Sequence, residues 1–286
     1  MPARSPFTQL CQAALTPPKS DRVDLHMHST ASDGRYTPAQ VVDVARRTGL
    51  AAIALTDHDT LAGFAPARLA AGDRLEVIPA VELSCEHAGR EVHLLAYFVR
   101  PDDGPLNQAL DRMREHRVGR YAEMVAKLAK LGVNVPEAPA SDASLGRRHL
   151  AEALVHAGKV GTVRDAFQRY LEDGGPADVP KLRLELAEAI ALVHSAGGVT
   201  SYAHPMPRVD RHELATLAAI GLQAVEAEYP GFRNSRIAAL RQWAGELGMA
   251  TTGGSDCHGP EDHRRTIGMK TISIEELARL RALAKG

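Results

Sequence analysis

The sequence predicts an α/β fold whose strands form a parallel sheet, open or closed into a barrel. Two observations carry this reading. Short apolar runs alternate with stretches of helical period along most of the 286 residues, the signature of strand–helix–strand units. Histidines and carboxylates recur where those apolar runs give way to loops. In a parallel barrel the C-terminal strand ends share one rim, so such residues would meet there.

The elements follow in order. Residues 21–28 (DRVDLHMH) alternate polar and apolar, the period of a strand. Thr37-Pro38 opens a helix to Arg47, and Thr48-Gly49 closes it. Residues 50–57 read as a buried strand, 61–72 as a helix ending at Gly72, and 75–83 and 90–99 as two more strands. Beyond 180 come helices at 184–196, about 211–220 and 234–247, alternating with strands at 197–204, 221–229 and 249–256. PDDGP (101–105) interrupts the series. After it Leu110, Met113, Tyr121, Met124, Leu128 and Leu131 recur at helical spacings, with shorter helical patterns near 147–157 and 162–172. The expected organisation is a tail (1–20), a barrel domain in two pieces (21–100 and 181–286) and an all-helical insert or cap (101–180). A barrel loop is a common place for a substrate lid; a helical excursion with no role in the site is the plainer alternative.

Composition narrows the partners. Lys and Arg number 34 against 35 Asp and Glu, for a net charge of −1, which argues against a broad duplex-binding surface. Cys11, Cys85 and Cys257 are odd in number and far apart, so no disulfide framework is implied. No apolar run approaches the roughly 18 residues of a membrane span. The first 20 residues lack the continuous apolar stretch of a signal peptide. A cytoplasmic protein with neither membrane nor duplex partner is expected.

Of the 13 histidines, six fall at ordered positions and seven read as incidental. His26-Met27-His28 places two imidazoles on one strand face, a bidentate metal grip. Asp33 follows in a loop, then Thr56-Asp57-His58-Asp59, Glu82, His93, Ala203-His204-Pro205 and Asp256-Cys257-His258. Nine ligand-type residues (His26, His28, Asp33, His58, Glu82, His93, His204, Asp256 and His258) are thus aimed at one rim. A catalytic zinc uses about three protein ligands, so nine suit two or three divalent metals sharing a bridging carboxylate. Mixed imidazole and carboxylate donors fit zinc, manganese or iron. Neighbouring metals that acidify a shared water serve phosphoester hydrolysis best, with amide hydrolysis also open. His194 reads as packing or a supporting hydrogen bond, and Cys257 as buried packing.

This ordered series resembles the PHP (polymerase and histidinol phosphatase) family over roughly residues 22–100 and 180–275. The resemblance implies a distorted seven-stranded β/α barrel with two or three metals at its C-terminal rim, and Mn2+ is expected ahead of Zn2+ or Fe2+. It implies that His26, His28, Glu82 and Asp256 hold one metal. Glu82, His93 and His204 would hold a second, and Asp33, His58 and His258 a third. Asp57 and Asp59 would orient His58 or its neighbours, and His204 or a metal-bound water would protonate the leaving group. Gly146-Arg147-Arg148-His149-Leu150-Ala151, Ala166-Phe167-x-x-Tyr170-Leu171 and Val179-Pro180-Lys181 look like the subgroup of nucleoside 3′,5′-bisphosphate phosphatases and RNase AM-type exonucleases. Arg148 and Asp178 depart from it, standing where Pro and Tyr are usual. The subgroup implies removal of the 3′-phosphate from adenosine 3′,5′-bisphosphate by a metal-bridged hydroxide. Trimming of short RNA from its 5′ end, or hydrolysis of histidinol phosphate, are the alternatives. Arg147, Arg148 and Lys181 would supply fixed positive charge for a second phosphate, although surface exposure is the default for such residues. His149 would donate to the same phosphate, and Tyr229 with Phe232 would stack a base or merely pack the rim.

Overall fold

The computed structural model describes residues 20–135, 143–261 and 263–284. The expected tail up to residue 19, with Cys11, and residues 136–142 of the expected insert lie outside the described residues. The strands are β1 (Arg22–Asp24), β2 (Ala52–Leu55), β3 (Glu76–His87), β4 (Arg90–Tyr97), β5 (Leu184–Glu185), β6 (Val199–Tyr202), β7 (Ala224–Glu228), β8 (Ala250–Gly253) and β9 (Ile272–Ser273). They run side by side as β8-β7-β6-β4-β3-β2-β1-β9, with β5 beside β3. Beyond β8 and β1 the chain pairs once more. Met27 bridges Cys257 in parallel, and the Asp256 N–H donates to the His26 carbonyl at 2.7 Å. These bonds join the ends of the row, so β1–β4 and β6–β8 form a nearly closed barrel wall.

The wall departs from the expected parallel sheet at one strand. β4 is antiparallel to both β3 and β6, whereas β1–β2–β3 and β6–β7–β8 are parallel. The cause is local. β3 continues to His87 and returns as β4 through Ala88-Gly89, both at positive φ (50° and 70°), the backbone of a two-residue hairpin. Glu82 therefore lies within a strand, not at its end. β9 and the helix after it lie beyond the last element expected from sequence; β9 pairs antiparallel with β1.

Helices pack outside. α1 (Pro38–Arg47) starts where expected because Thr37 and Gln40 form a reciprocal capping box and Pro stands in the first turn. α2 is Phe64–Ala71. α3 (Gly104–Lys130), α4 (Arg147–His156), α5 (Val163–Ala166) and a π-helical turn (Phe167–Leu171) occupy the segment expected as the insert. α6 (Leu186–Ser195), α7 (Arg211–Ala219), α8 (Asn234–Glu246) and α9 (Ile274–Leu283) complete the outer layer.

The core explains how the site is held. One apolar cluster draws Leu25, Ala54, Ile78, Leu95, Tyr97 and Val199 from facing strands, with Leu277 and Leu280 of α9 beneath. Strand side chains alternate faces. The face of β3 bearing Ile78 and Ala80 therefore also bears Glu82, and the face of β4 bearing Tyr97 and Leu95 also bears His93. α3 spans two clusters: Leu106, Leu110 and Met113 pack with barrel residues, whereas Tyr121, Met124 and Leu128 pack with Leu145, Leu150, Leu154 and Leu171.

Candidate metal centre

All nine expected donors meet at one end of the barrel, and Glu82 stands at their centre. Its Oε2 lies 3.2 Å from His26 Nε2, 3.2 Å from His28 Nε2 and 3.3 Å from His58 Nδ1. Its Oε1 lies 2.8 Å from His93 Nδ1 and 3.1 Å from His204 Nε2. Asp256 Oδ1 approaches His26, His28 and His258 at 3.2–3.5 Å. Asp33 Oδ1 lies 3.4 Å from His258 Nε2 and 4.0 Å from His58 Nε2. The backbone is strained at two of the donors, His204 and Asp256, and at Asp59 beside His58. Their φ angles are 31°, 50° and 52°, conformations that non-glycine residues hold only where surrounding contacts over-determine them.

The donor set fits divalent metal. Among the described residues the donor atoms form four groups, each within 4.8 Å: His28, Asp33, His58 and His258; His26, Glu82 and His204; His26, His28 and Asp256; and His58, Glu82 and His93. His28 Nδ1 and Nε2, His58 Nδ1 and Asp33 Oδ1 are buried without a hydrogen bond. His28 Nε2 is 3.2 Å from two carboxylate oxygens, yet it is aligned with neither. Orphaned buried donors carry a real energetic penalty, which coordination removes. Electrostatics agree. Burial would raise Glu82, but His58, His26 and His93 hold it well below the ordinary carboxylate range. Burial would lower His28, but Asp256 and Glu82 push it up to about 10. Burial takes His58 down to about 3 against the pull of Glu82 and Asp33.

A second set of residues holds these donors, and several of them carry no signal in the sequence. Glu226 on β7 is buried; its Oε1 pairs with His26 Nδ1 at 2.9 Å and its Oε2 accepts the His204 N–H at 2.6 Å. Glu91 Oε1 lies 2.9 Å from His93 Nε2. Tyr229 and Arg265 donate to Asp256 Oδ2 at 3.0 and 2.6 Å, leaving Oδ1 facing the imidazoles. Such partners fix ring orientation and ligand basicity. Glu91 is legible in principle, since its i, i+2 spacing puts it on the face of β4 that carries His93.

Asp57 and Asp59 do not bond His58. Asp57 accepts from the Ser29 N–H, Ser29 Oγ and Ser32 Oγ, each at 2.7 Å, and so shapes the loop that leads to Asp33. Asp59 accepts from the Ser84 N–H and Oγ and from Arg117. Tyr229 is not open for base stacking either. Its ring lies against His204, Phe232 and the Arg265 guanidinium, at 5.4, 5.1 and 5.4 Å.

The basic residues divide. Arg147 and Lys181 line one pocket of about 360 Å³ together with Arg120, Arg183, Glu91, Asp173 and Asp178. Arg147 bonds Asp173 at 2.5 Å, Lys181 pairs with Glu91, and Arg183 reaches Glu91 at 2.9 Å. Arg148 instead bonds Glu152 one turn along α4 at 3.1 Å. The His149 Nδ1 accepts from the Gly146 N–H at 3.0 Å and closes the start of α4. His194 makes the expected supporting bond, to Gln223 at 2.9 Å. Cys85 and Cys257 are buried free thiols. No described helix is long and apolar enough to cross a membrane.

Known proteins match this architecture. The PHP domain model matches residues 24–135. A Haemophilus influenzae protein named 5′-3′ exoribonuclease is 33% identical over 250 residues, 84% of this chain and 90% of its own. A Chromobacterium violaceum 3′,5′-nucleoside bisphosphate phosphatase is 32% identical over 264 residues, 86% of this chain and 90% of its own. Among solved structures, a candidate metal-dependent phosphoesterase from Bifidobacterium adolescentis superposes with a TM-score of 0.83 at 28% identity, over 93% of this chain and 97% of its own. The Glu82-centred donor cluster, the near-closed barrel and relatives matched over most of their length agree: the chain belongs to the PHP family, with the metal-binding phosphoesterase architecture of that family.

Proposed function

We propose that the chain is a phosphoric monoester hydrolase that removes the 3′-phosphate of nucleoside 3′,5′-bisphosphates, such as adenosine 3′,5′-bisphosphate. The observation that carries this reading is a basic pocket one carboxylate away from the donor cluster. Glu91 touches His93 on one side and Lys181 and Arg183 on the other. A non-reacting phosphate among Arg147, Lys181 and Arg183 would leave the second phosphate of the same nucleotide at the cluster. A cationic substrate such as histidinol phosphate would meet like charge there. Arg148, His149 and Tyr229 are left out, because none of them lines that pocket.

Two or three divalent ions, Mn2+ before Zn2+ or Fe2+, would be held by the nine donors and supply Lewis acidity and an activated water. Glu82 joins the donor groups, and Glu226, Glu91 and Tyr229 keep the ligands aimed. His204 sits partly exposed at the rim and is kept for the leaving 3′-oxygen's proton. Residues 101–180 are read as the cap domain, supplying Arg147 and one wall of the pocket. A second reading, 5′-to-3′ trimming of short RNA, is favoured by the Haemophilus relative's name.

A Mn2+-supplemented assay separates these readings by comparing adenosine 3′,5′-bisphosphate, its two monophosphates, histidinol phosphate and a 5′-phosphorylated RNA oligomer. The bisphosphate should be preferred. Arg147→Ala and Lys181→Ala should each lower kcat/KM for it by about ten- to a hundredfold, the worth of a charged hydrogen bond, while sparing the 3′-monophosphate. Preference for histidinol phosphate would sink the proposal.

A further inference from the structure

Arg117 lies on α3 at the junction of two cores, after Met113 of the barrel cluster and before Tyr121 of the cluster shared with α4. It is 6% exposed. Its Nε and Nη2 donate to Asp59 Oδ2 at 2.8 and 2.5 Å, Nη2 donates to Ser84 Oγ at 3.1 Å, and Nη1 donates to the Leu145 carbonyl at 3.0 Å. The acceptors are tied to donor positions. Asp59 adjoins His58 in a left-handed conformation, and its N–H donates to the Glu82 carbonyl at 2.9 Å. Ser84 is two residues from Glu82 on the same strand face and directly opposite His93 in the β3–β4 ladder. One guanidinium thus clamps the backbone around His58, Glu82 and His93, which together form one of the donor groups.

We propose that Arg117 is a positioning residue through which α3 sets the geometry of the His58–Glu82–His93 donor group, by holding the Asp59–Ser84 pair. This rests on the metal-binding reading of those three residues, not on the identity of the substrate. Arginine suits the task because its rigid fork engages carboxylate and hydroxyl together. A lysine would keep the charge but lose the fork. The role differs from ordinary helix packing, since α3 already packs on the barrel through Leu106, Leu110 and Met113. Loss of Arg117 should therefore loosen metal binding before it loosens the fold.

The test is Mn2+ binding to the whole chain, followed by calorimetry and by electron paramagnetic resonance at a temperature where circular dichroism shows every variant folded. Arg117→Ala should weaken one class of Mn2+ site by about ten- to a hundredfold, the usual cost of removing a supporting partner, and added guanidinium ion should partly restore it. Arg117→Lys should fall between wild type and Arg117→Ala. Arg112→Ala, at a solvent-exposed position of the same helix, should leave the isotherm unchanged. If Arg117→Ala does not fold, Arg117→Lys and Ser84→Ala carry the test by the same measurement. Mn2+ binding by wild type with unchanged isotherms in the folded variants overturns the role of Arg117 alone. Absence of Mn2+ binding by wild type overturns the metal reading and this inference together.

Discussion

At the scale of single residues, Glu82 is the organising group, because five imidazoles face its two oxygens. The close approach of β8's exit to β1's exit depends on a position with no side chain. A Cβ on Gly254 would stand 2.3 Å from His26 N and 2.5 Å from His26 Cβ. Backbone must then move, and overpacking of this kind costs roughly 1–3 kcal/mol. Gly254→Ala should lose that much stability in urea denaturation and should lose Mn2+ binding as well, since His26 and Asp256 both move. Unchanged binding would show that the pair does not need this approach. The nine donors are legible in the sequence because each lies in, or shortly after, a run with a recognisable strand pattern. Glu226 and Arg117 are not. A carboxylate inside a strand and an arginine on a long helix look like ordinary residues until folding brings them to His26 and Asp59, 200 and 58 positions away.

At the scale of elements, the β3–β4 hairpin is what distorts the barrel. It replaces a helical crossover with two turn residues and reverses β4. His93 thereby enters the rim near the start of its strand, and Glu82 does so within its own. Gly89 has φ of 70°, with open space where a Cβ would stand, so Gly89→Ala tests backbone conformation alone. It should destabilise the protein by about 1–2 kcal/mol, the usual left-handed penalty, read as a lower urea midpoint with an unchanged slope. No loss would mean that the turn relaxes without strain. Helix starts with explicit caps, as at Thr37 and Ser273, are set by local chemistry. That is why the start of α1 can be read from sequence, whereas the reversal of β4 cannot: periodicity marks a strand's faces but carries no sign of its direction.

At the scale of the whole molecule, the metal-free chain carries charges that metal must displace. His28 is raised from 6.5 to about 10 against the pull of burial by Asp256 and Glu82. A raised imidazole stabilises the metal-free fold fully below its unfolded value and loses that contribution as pH rises through about 10. Coordination requires the neutral ring, so Mn2+ binding near pH 7 should release protons and tighten as pH rises. Calorimetry in buffers of different ionisation enthalpy measures that release; none would remove His28 from the ligand set. Bound metal should also raise the unfolding temperature, increasingly so with the logarithm of free metal above its Kd. By itself the sequence determined the α/β alternation, the nine donors and their family, because strand periodicity and ligand chemistry are local properties written in residue type and spacing. Only the tertiary structure decided the strand polarity, the central place of Glu82, the partners at Glu226, Glu91 and Arg117, and which arginines share a pocket with Lys181. Those depend on distances between residues far apart in the chain, which are set by barrel closure and core packing and not by any local pattern.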